Sequence, residues 1–482
     1  MFDLRPVGYV IGLLLVALGG TMFIPWLVDV IWQTGGGGTF AISGMITVVF
    51  GGSMALASAN SRAAGLTIQQ AFLLTTLSWF ALPLFAALPF WLGAPDASYT
   101  DAFFEAMSGI TTTGSTVFSN LGSLPMGTQL WRGMMQWFGG VGIIVVALAF
   151  LPTLKVGGMQ LFRSEGFDTL GKVLPRAGEI AGSISVVYLI LTVACIVAYA
   201  FAGLDFFDAL VLSLTTIATG GFANSDASFG AFQGAPEYVA TLFMLLASLP
   251  FIRYVQMMRG AAQPLFKDSQ VRVFLLSAIG LVLVLTLYQM IINGKYGEAP
   301  FREALFNVTS ILSGTGYASV DYQLWGPFAV VLFFMLGLVG GCAGSTCCSI
   351  KIFRFQLLFI SIQQQIRRIH SPNGVFGARY AGRPVEDEVI SSVMAFLVMF
   401  MLTLGVVAVL LSLLGLDFIT SVSGAATALA NIGPGLGPEI GPAGNFGGLP
   451  DSAKWVLSFT MLIGRLELVS VYVLFTAGFW RG

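Results

Sequence analysis

The sequence predicts an all-α polytopic membrane protein in which four pseudo-symmetric repeats surround one ion pore. Each repeat is expected to hold a membrane helix, a short re-entrant pore helix and a second membrane helix, and two extra N-terminal transmembrane helices precede the first repeat. Two observations lead to this prediction. The composition is 56% hydrophobic and only 9% charged, and one short glycine-centred stretch occurs four times along the chain.

The composition also excludes several classes of protein. Soluble domains carry about a quarter charged residues, whereas this chain has a mean hydropathy of +0.87, so membrane lipid is its expected surrounding. The net charge of −1 argues neither for nor against a nucleic-acid partner, but the chain has no basic block to support one. Residues 7–30 are too long for the apolar core of a cleaved signal peptide, and we interpret them as the first span.

The cysteines and the single histidine form no pattern typical of a metal or cofactor site. Cys195 lies in an apolar run, where a thiol behaves as a small hydrophobic group. Cys342, Cys347 and Cys348 have no neighbouring histidine or carboxylate cluster, so packing is the preferred interpretation and a metal site the weaker alternative. His370 lies in a basic loop. No covalently bound cofactor is expected.

A hydrocarbon core of roughly 30 Å requires about 20 apolar residues per helical span. We predict ten such spans, at residues 7–30, 40–58, 69–92, 132–152, 182–203, 237–257, 271–292, 326–350, 387–414 and 454–478. With the N-terminus in the cytoplasm, most of the 22 Lys and Arg residues fall in the inner loops, in agreement with the positive-inside rule.

Most of the 23 acidic residues fall on the opposite, outer side in this topology. A negative outer vestibule concentrates cations and repels anions. Ordinary solvated loops are the alternative, because a positive inside alone leaves the outside relatively acidic.

The four glycine-centred stretches each follow a segment that is too short to span a bilayer. They are Thr111, Thr112, Thr113 and Gly114; Ile217, Ala218, Thr219 and Gly220; Ser313, Gly314, Thr315 and Gly316; and Ala430, Asn431, Ile432 and Gly433. The preceding segments are expected to form helices that end inside the membrane, after which the chain turns back as an extended strand. Because non-helical backbone at this depth must be enclosed by protein or a watery cavity, we expect the four strands to meet on an axis.

The residue types in these stretches suit the binding of a dehydrated cation such as potassium or sodium. Rings of backbone carbonyls from four loops replace the hydration shell of an ion, and glycine adopts the unusual backbone angles that this requires. The hydroxyls of Thr113, Thr219 and Thr315 are expected to add oxygen ligands. The four helices also direct the negative ends of their dipoles toward the cavity. These residues are therefore the predicted selectivity filter.

The eighth predicted span ends in a run of glycines and small polar residues, which disfavours a straight helix. We interpret this run as a loop within the membrane that obstructs the pore, with Gly340, Gly341, Gly344, Ser345 and Thr346 as gate residues. Close helix packing through small residues is the alternative.

Arg465 is a further candidate gate residue because it is predicted to lie near the middle of the last span. An arginine there costs about 2.5–3.5 kcal/mol on insertion scales, so it normally faces a cavity or a partner. Below a cation filter its charge would raise the barrier to permeation. An ion pair with another span is the alternative.

Several motifs resemble the Trk/Ktr/HKT superfamily of potassium transporters, most closely its TrkH/TrkG type, over nearly the whole chain. They lie at residues 108–114, 157–165, 218–222, 340–346, 431–435 and 464–467. The two additional N-terminal spans favour this type over the Ktr type, which lacks them. One departure is Cys347-Cys348-Ser349, which stands where many relatives are glycine-rich.

The resemblance implies a homodimer for potassium uptake across the bacterial inner membrane, with the potassium ion as substrate and one pore per chain. It also implies an intramembrane gating loop at residues 340–349, a pore-facing Arg465 and a cytosolic TrkA-type partner that binds nucleotides. The chain then divides into a two-helix N-terminal domain at 1–68 and pore repeats at 69–155, 181–260, 271–360 and 387–482.

Three other functions stay open. Proton- or sodium-coupled potassium symport is the nearest, and an intramembrane carboxylate such as Glu467 would favour it. A membrane-embedded enzyme is disfavoured, because no paired carboxylates, histidine cluster or Ser/His arrangement lies at a membrane boundary. A structural or sensory membrane protein is the third. Basic loops at 153–180 and 351–386 are candidate docking sites for a cytosolic regulator.

Overall fold

The computed structural model describes residues 3–61, 66–149, 177–374 and 376–481. In these ranges the fold is predominantly helical, and the predicted fold class is confirmed. Six helices are long and apolar enough to cross a membrane, or eight when two sharply bent helix pairs each count as one span. Large apolar side chains such as Val49, Leu276 and Leu402 are 63–68% exposed, as expected of surfaces that face lipid.

Four consecutive quarters of the chain repeat one order of helices: a long helix, a short pore helix and a second helix. The first quarter contains Ile68–Ala86, Leu88–Leu92, Tyr99–Ile110 and Met126–Ala149. The second contains Ala177–Phe201, Phe206–Ile217, Ala235–Ala247 and Phe251–Met258. The third contains Ser269–Ile291, Ala299–Leu312, Pro327–Gly337 and Ile352–His370. The fourth contains Asp387–Leu413, Phe418–Ala430, Asp451–Arg465 and Val469–Tyr472.

Shorter elements connect these helices. Single-turn helices lie at Gln263–Lys267, Gly437–Ile440 and Ala477–Arg481. Short 3-10 turns lie at Ala59–Ser61, Leu121–Ser123, Ser228–Ala231, Tyr322–Trp325 and Val473–Phe475. Two-residue strands pair in parallel at Val339–Gly340 and Ile350–Lys351, and antiparallel at Arg379–Tyr380 and Arg383–Pro384.

The two extra helices form a hairpin before the first quarter. Arg5–Thr21 continues as Phe23–Trp32, and Gly37–Ala57 packs against Arg5–Thr21 through facing glycines. A Cβ atom on Gly51 would lie 2.7 Å from the carbonyl oxygen of Gly12 and 2.8 Å from the Cβ of Leu15. Small residues therefore let the two backbones approach closely, as is common between membrane helices.

Asp29 attaches this hairpin to the first quarter. Its buried carboxylate accepts hydrogen bonds from the amide of Gly127 at 2.7 Å and from the hydroxyl of Thr34 at 2.5 Å. Gly127 is the second residue of helix Met126–Ala149. The amides at a helix N-terminus lack intrahelical partners and favour a negative group, so Asp29 caps a helix that is distant in sequence.

Two predicted spans are not straight helices. Span 237–257 bends by 88° between Ala247 and Phe251, and span 454–478 bends by 106° after Arg465. At the first bend Pro250 has no amide proton to continue the helix. At the second, Glu467 has a φ of 60°, in the left-handed region. Hydropathy does not reveal such bends, because the residues on both sides remain apolar.

The eighth predicted span, 326–350, is interrupted, as the sequence indicates. Its helix ends at Gly337, and residues 338–351, here called the central loop, are closed by the parallel strand pair. The chain then continues as helix Ile352–His370, whereas the sequence analysis predicts only a basic loop there. The alternation of apolar residues with glutamines and arginines lowers the mean hydropathy of this helix, which conceals it from a search for spans.

Two adjacent glycines test the packing of the N-terminal hairpin. Gly51→Ala is expected to destabilise the protein by about 1–3 kcal/mol, the usual cost of overpacking, because its Cβ would overlap the facing helix. Gly52→Ala is the matched control, since no atom lies within 4 Å of its Cβ position. Thermal unfolding in detergent should show a lower midpoint for Gly51→Ala alone. Equal midpoints for the two variants would contradict the glycine contact.

Candidate ion pore

Three of the four pore helices begin at a polar side chain that accepts a hydrogen bond from a free amide of the first turn. Ser98 accepts a hydrogen bond from Asp101 at 3.1 Å, Asp205 from Phe207 at 3.2 Å and Asp417 from Ile419 at 3.1 Å. The third pore helix instead has Pro300 in its first turn, where proline is tolerated because that amide needs no partner. Each short helix is therefore fixed at the end that lies far from the glycine stretch.

The opposite ends of the four pore helices share one geometry. Each is followed by a residue in the left-handed conformation: Thr112, Thr219, Gly314 and Asn431, with φ between 50° and 72°. The next amide then returns to the carbonyl five residues earlier, at 2.8–3.1 Å: Thr113 to Ser108, Gly220 to Thr215, Thr315 to Ser310 and Ile432 to Thr427. This is the Schellman ending of a helix. The four copies can therefore be aligned by their backbone geometry, without comparing their residues.

This alignment corrects the predicted register of the second stretch. A glycine with positive φ lies two residues after each left-handed residue, at Gly114, Gly221, Gly316 and Gly433. The matching glycine of the second copy is therefore Gly221, not Gly220, and Ile217 is the last residue of the pore helix. The second stretch is residues 218–221. Two adjacent glycines make the sequence ambiguous here, and the helix end resolves the ambiguity.

The four glycines with positive φ form a closed ring of contacts. A Cβ atom built on each would lie 2.9 Å or less from a carbonyl oxygen of the next stretch. The pairs are Gly114 with Gly220, Gly221 with Thr315, Gly316 with Ile432 and Gly433 with Thr113. The first copy thus contacts the second, the second the third, the third the fourth and the fourth the first. The four stretches surround a single axis, which we call the ring.

The hydroxyl groups near the ring are bonded within the protein. Thr113 pairs with Thr111 at 2.8 Å, and Thr315 pairs with Ser313 at 2.7 Å. Thr219 lies at the left-handed position and donates to the carbonyl of Ala218 at 2.8 Å. The residues that precede the ring glycines are Thr113, Gly220, Thr315 and Ile432, so only two copies have threonine there, not the three predicted. Backbone carbonyls are the oxygens that all four copies share.

A cavity of about 260 Å³ lies on one side of the ring, and we call it the vestibule. All four ring glycines line it, together with Ser115, Asn445 and other polar residues. Asp226 is the one acidic residue in this lining within the described ranges. The expectation that most of the outer acids face a vestibule is therefore not met in this cavity.

Several of those acids instead form ion pairs with buried or partly buried bases, a feature that the sequence analysis missed. Glu105 pairs with Arg132 at 2.8 Å, Glu237 with Arg302 at 2.9 Å and Asp101 with Lys454 at 2.6 Å. Glu105 also accepts the amide of Val117 at 2.9 Å, which fixes the strand that leaves the first stretch. The first pair lies within one quarter, whereas the other two pairs join different quarters, so no fixed spacing in the sequence signals them.

Side chains of the first quarter hold the second stretch in place. Gln136 donates to the carbonyl of Gly220 at 2.6 Å and accepts the amide of Phe222 at 3.1 Å. Arg132 donates to the carbonyl of Ala223 at 2.8 Å, and its guanidinium lies 4.2 Å from the centre of the Phe222 ring. Two side chains of helix Met126–Ala149 thus hold the backbone from Gly220 to Ala223.

The other three contacts around the ring use different residues. Tyr317, directly after Gly316, is fully buried and bonds through its hydroxyl to Thr215 and Thr216 of the second pore helix. Gln323 accepts the amide of Gly437 at 2.7 Å, which joins the third and fourth copies. Asn431 donates to Thr113 at 2.9 Å, and Ser115 donates to the carbonyl of Gly433 at 2.7 Å, which joins the fourth and first.

The central loop lies on the side of the ring opposite the vestibule. The sulfur of Cys348 is 3.7 Å from the hydroxyl of Thr112, and a Cβ on Gly314 would lie 3.5 Å from the amide nitrogen of Cys348. Ser349 donates its amide to the carbonyl of Ala430 at 3.0 Å. The loop therefore contacts the first, third and fourth stretches where they leave their pore helices.

The predicted gate residues other than Arg465 lie in this loop. The loop forms hydrogen bonds with the second quarter where its helix is broken between Ala247 and Phe251. Phe251 donates its amide to the carbonyl of Gly344 at 2.9 Å, and Thr346 donates its hydroxyl to the carbonyl of Ala247 at 3.1 Å. Ser345 donates to the carbonyl of Cys342 at 2.6 Å. Gly340 and Gly341 have no space for a Cβ against Cys348 and Cys347, respectively.

Arg465 is the last residue of helix Asp451–Arg465, before the bend, and is not in the middle of a straight span. It is 3% exposed and donates to the carbonyls of Gly139 at 3.2 Å and Thr346 at 3.4 Å, and to the sulfur of Cys348. No carboxylate in the described part of the chain forms an ion pair with it, whereas Glu467 pairs with Arg354. The alternative of an ion pair for Arg465 thus has no support among these residues.

These features define a membrane protein with four pore repeats around one axis. Residues 36–480 match the model of the TrkH family, described as "Cation transport protein", and the chain belongs to this family. Its members are transporters and not enzymes. The match includes residues 157–165, which carry part of the resemblance and lie outside the described residues.

Individual relatives agree with this assignment. The chain is 49% identical to the Trk system potassium uptake protein TrkI of Halomonas elongata over 86% of the chain and 84% of the relative. It is 36% identical to TrkH of Escherichia coli over 99% of both. The crystal structure of the potassium transporter TrkH from Vibrio parahaemolyticus superposes over 100% of both chains with a TM-score of 0.92 at 33% identity.

The corrected register predicts different outcomes for two adjacent glycines. Gly221→Ala is expected to lower Rb⁺ uptake into proteoliposomes roughly tenfold, equivalent to about 1.4 kcal/mol, because a Cβ there meets backbone and the φ is positive. Gly220→Ala, where the atoms nearest to the Cβ belong to the end of the Gln136 side chain, should retain more uptake. A larger loss of uptake in Gly220→Ala than in Gly221→Ala would instead support residues 217–220 as the second stretch.

Proposed function

We propose that this chain takes up potassium through the ring, with the backbone carbonyls of residues 111–114, 218–221, 313–316 and 430–433 as the selectivity filter. The closed cycle of glycine–carbonyl contacts is the observation that carries this proposal. Carbonyl rings replace the hydration shell of a monovalent cation. The negative ends of four pore-helix dipoles directed at this site lower the energy of a cation there.

The names of the relatives support potassium as the ion, since TrkI and TrkH are both potassium uptake proteins. Only the glycine at the end of the stretch is shared by all four copies, while the preceding positions differ. Such a filter holds fewer equivalent sites than one made of four identical loops. We therefore expect potassium preference with some Rb⁺ permeation and weaker exclusion of sodium.

The central loop and Arg465 are the proposed gate. The loop lies directly under the ring and is bonded to all four quarters. It contains the predicted gate residues Gly340, Gly341, Gly344, Ser345 and Thr346. A buried guanidinium close to a cation pathway raises the electrostatic barrier to permeation. Displacement of the loop together with Arg465 would lower both the steric and the electrostatic barrier.

The assembly that we propose is a homodimer in the bacterial inner membrane with the N-terminus in the cytoplasm. A TrkA-type cytosolic protein that binds nucleotides is the proposed regulator. Helix Ile352–His370 begins directly after the central loop, so a protein bound to this helix could pull on the loop. The second candidate docking segment, 153–180, lies largely outside the described residues.

Coupled symport is the second candidate, and the geometry favours it less. Glu467 is the carboxylate that symport would need as a proton carrier, but it is held in an ion pair with Arg354. Proteoliposome uptake with and without a pH gradient separates the two mechanisms. A channel responds to the gradient only through the membrane potential.

Gly316→Ser tests the filter. Gly316 has a φ of 80° and its Cβ position overlaps the carbonyl of Ile432, so a side chain must displace the fourth stretch. We expect the K⁺/Na⁺ uptake ratio to fall roughly tenfold, equivalent to about 1.4 kcal/mol. Gly448→Ser, which has no atom within 4 Å of its Cβ position, is the control. An unchanged ratio in Gly316→Ser would refute the assignment.

Arg465→Ala tests the gate. Removal of the guanidinium eliminates both the repulsion of cations and the bonds to the central loop, so the initial rate of Rb⁺ uptake should rise. Arg465→Lys keeps the charge and should stay closer to the wild type. If Arg465→Ala takes up Rb⁺ at the wild-type rate, Arg465 does not contribute to the barrier.

A further inference from the structure

Arg465 differs from the other buried basic residues that pack around the pore. Arg132, Arg354 and Lys454 are each paired with a carboxylate, at Glu105, Glu467 and Asp101. Within the described ranges the hydrogen-bond partners of Arg465 are carbonyl oxygens and the sulfur of Cys348, its guanidinium lies 5.7 Å from the centre of the Trp79 ring, and its Nε atom has no hydrogen-bond partner. A buried charge without a counter-charge is strongly unfavourable. Cys348 is the one bonded partner of Arg465 that can become an anion.

Other ionisable side chains also surround Cys348. Cys348 lines a cavity of about 40 Å³ together with Lys351, Arg465 and Glu467. The carboxylate of Glu467 is bonded to Arg354, and Lys351 donates to the carbonyl of Cys347. The side chains of Arg465 and Lys351 therefore line the cavity beside the thiol, while the nearby carboxylate is occupied. The thiolate is the form of a cysteine that reacts with a disulfide.

The position of Cys348 connects this chemistry to the ring. Its sulfur contacts Thr112 and its backbone lies beneath Gly314, so any change at the sulfur is transmitted to the part of the loop that lies under the ring. The neighbouring thiol differs, because Cys347 is directed to the hydroxyl of Ser248 at 3.0 Å. The cavity has about the volume of one water molecule and cannot accept a larger group on Cys348 without movement of the loop.

We propose that Cys348 is a thiol-modification site that holds the gate shut as the counter-ion of Arg465 and releases it on reaction with a small disulfide. This inference rests on the proposed function of the central loop. In the reaction the thiolate of Cys348 attacks one sulfur of the disulfide, a new S–S bond forms, the old one breaks, and the second half leaves as a thiolate. The product is neutral and larger, so Arg465 loses its counter-charge and the loop loses its space.

The experiment measures Rb⁺ uptake into proteoliposomes before and after methyl methanethiosulfonate, then after dithiothreitol. The reagent transfers a methylthio group to the thiolate and releases methanesulfinate, and dithiothreitol reverses the transfer. The wild type should show a severalfold rise in initial rate that dithiothreitol abolishes. Cys347→Ser is the matched control and should respond as the wild type does.

Two variants at position 348 separate charge from bulk. Cys348→Ser removes the anion, so its basal uptake should be raised and insensitive to the reagent. Cys348→Asp supplies a permanent anion, so its basal uptake should stay low and also be insensitive. A reagent response that persists in Cys348→Ser, a fall or no change in wild-type uptake, or equally high basal rates in both variants would overturn the inference.

The same data distinguish this inference from the proposed function. If the wild type takes up Rb⁺ and Gly316→Ser alters its ion preference, but the reagent has no effect, the thiol site alone fails. If the untreated wild type takes up no Rb⁺, the proposed function fails as well.

Discussion

The structure depends on the close approach of four glycine Cα atoms to four carbonyl oxygens. At Gly114, Gly221, Gly316 and Gly433 no Cβ fits between neighbouring stretches. This constraint fixes the diameter of the ring, because each copy is positioned by the backbone of the next. The pore helices, their caps and their Schellman endings all serve to bring one glycine per quarter to the same level. A side chain at any of the four positions would open the ring on one side.

Much of this arrangement could be predicted from the sequence, because it follows from local chemistry. Four short helices that follow a polar cap or a proline, glycine at their ends and a glycine-rich break in the eighth span are all visible as residue patterns. The register of the second copy is not, since Gly220 and Gly221 are equivalent until the end of the pore helix is known. The bends at Pro250 and Glu467 depend on tertiary partners, which hydropathy does not report. The pairing of Glu105 with Arg132 likewise required the fold.

The central loop explains why the bends are tolerated. A broken helix leaves amides and carbonyls without partners, and each unsatisfied group inside a membrane costs several kcal/mol. The carbonyl of Ser248 accepts the amide of Cys342, and Phe251 donates to Gly344. The break in the second quarter and the loop of the third quarter therefore satisfy each other. A loop held by such exchangeable backbone bonds can leave its site if water or another segment replaces it, whereas a continuous helix could not.

The contact between the fourth and first quarters has a special role, because no connecting segment of chain closes the ring there. It carries the hydrogen bonds of Asn431 and Ser115, and Phe446 adds a backbone bond to Thr116 at 2.8 Å. Behind them Lys454 pairs with Asp101, and the rings of Phe103 and Trp455 stack with centroids 4.7 Å apart. The other three contacts join quarters that are consecutive in sequence, which raises their effective concentration. A ring made from one polypeptide therefore depends on these non-covalent interactions alone where its two ends meet.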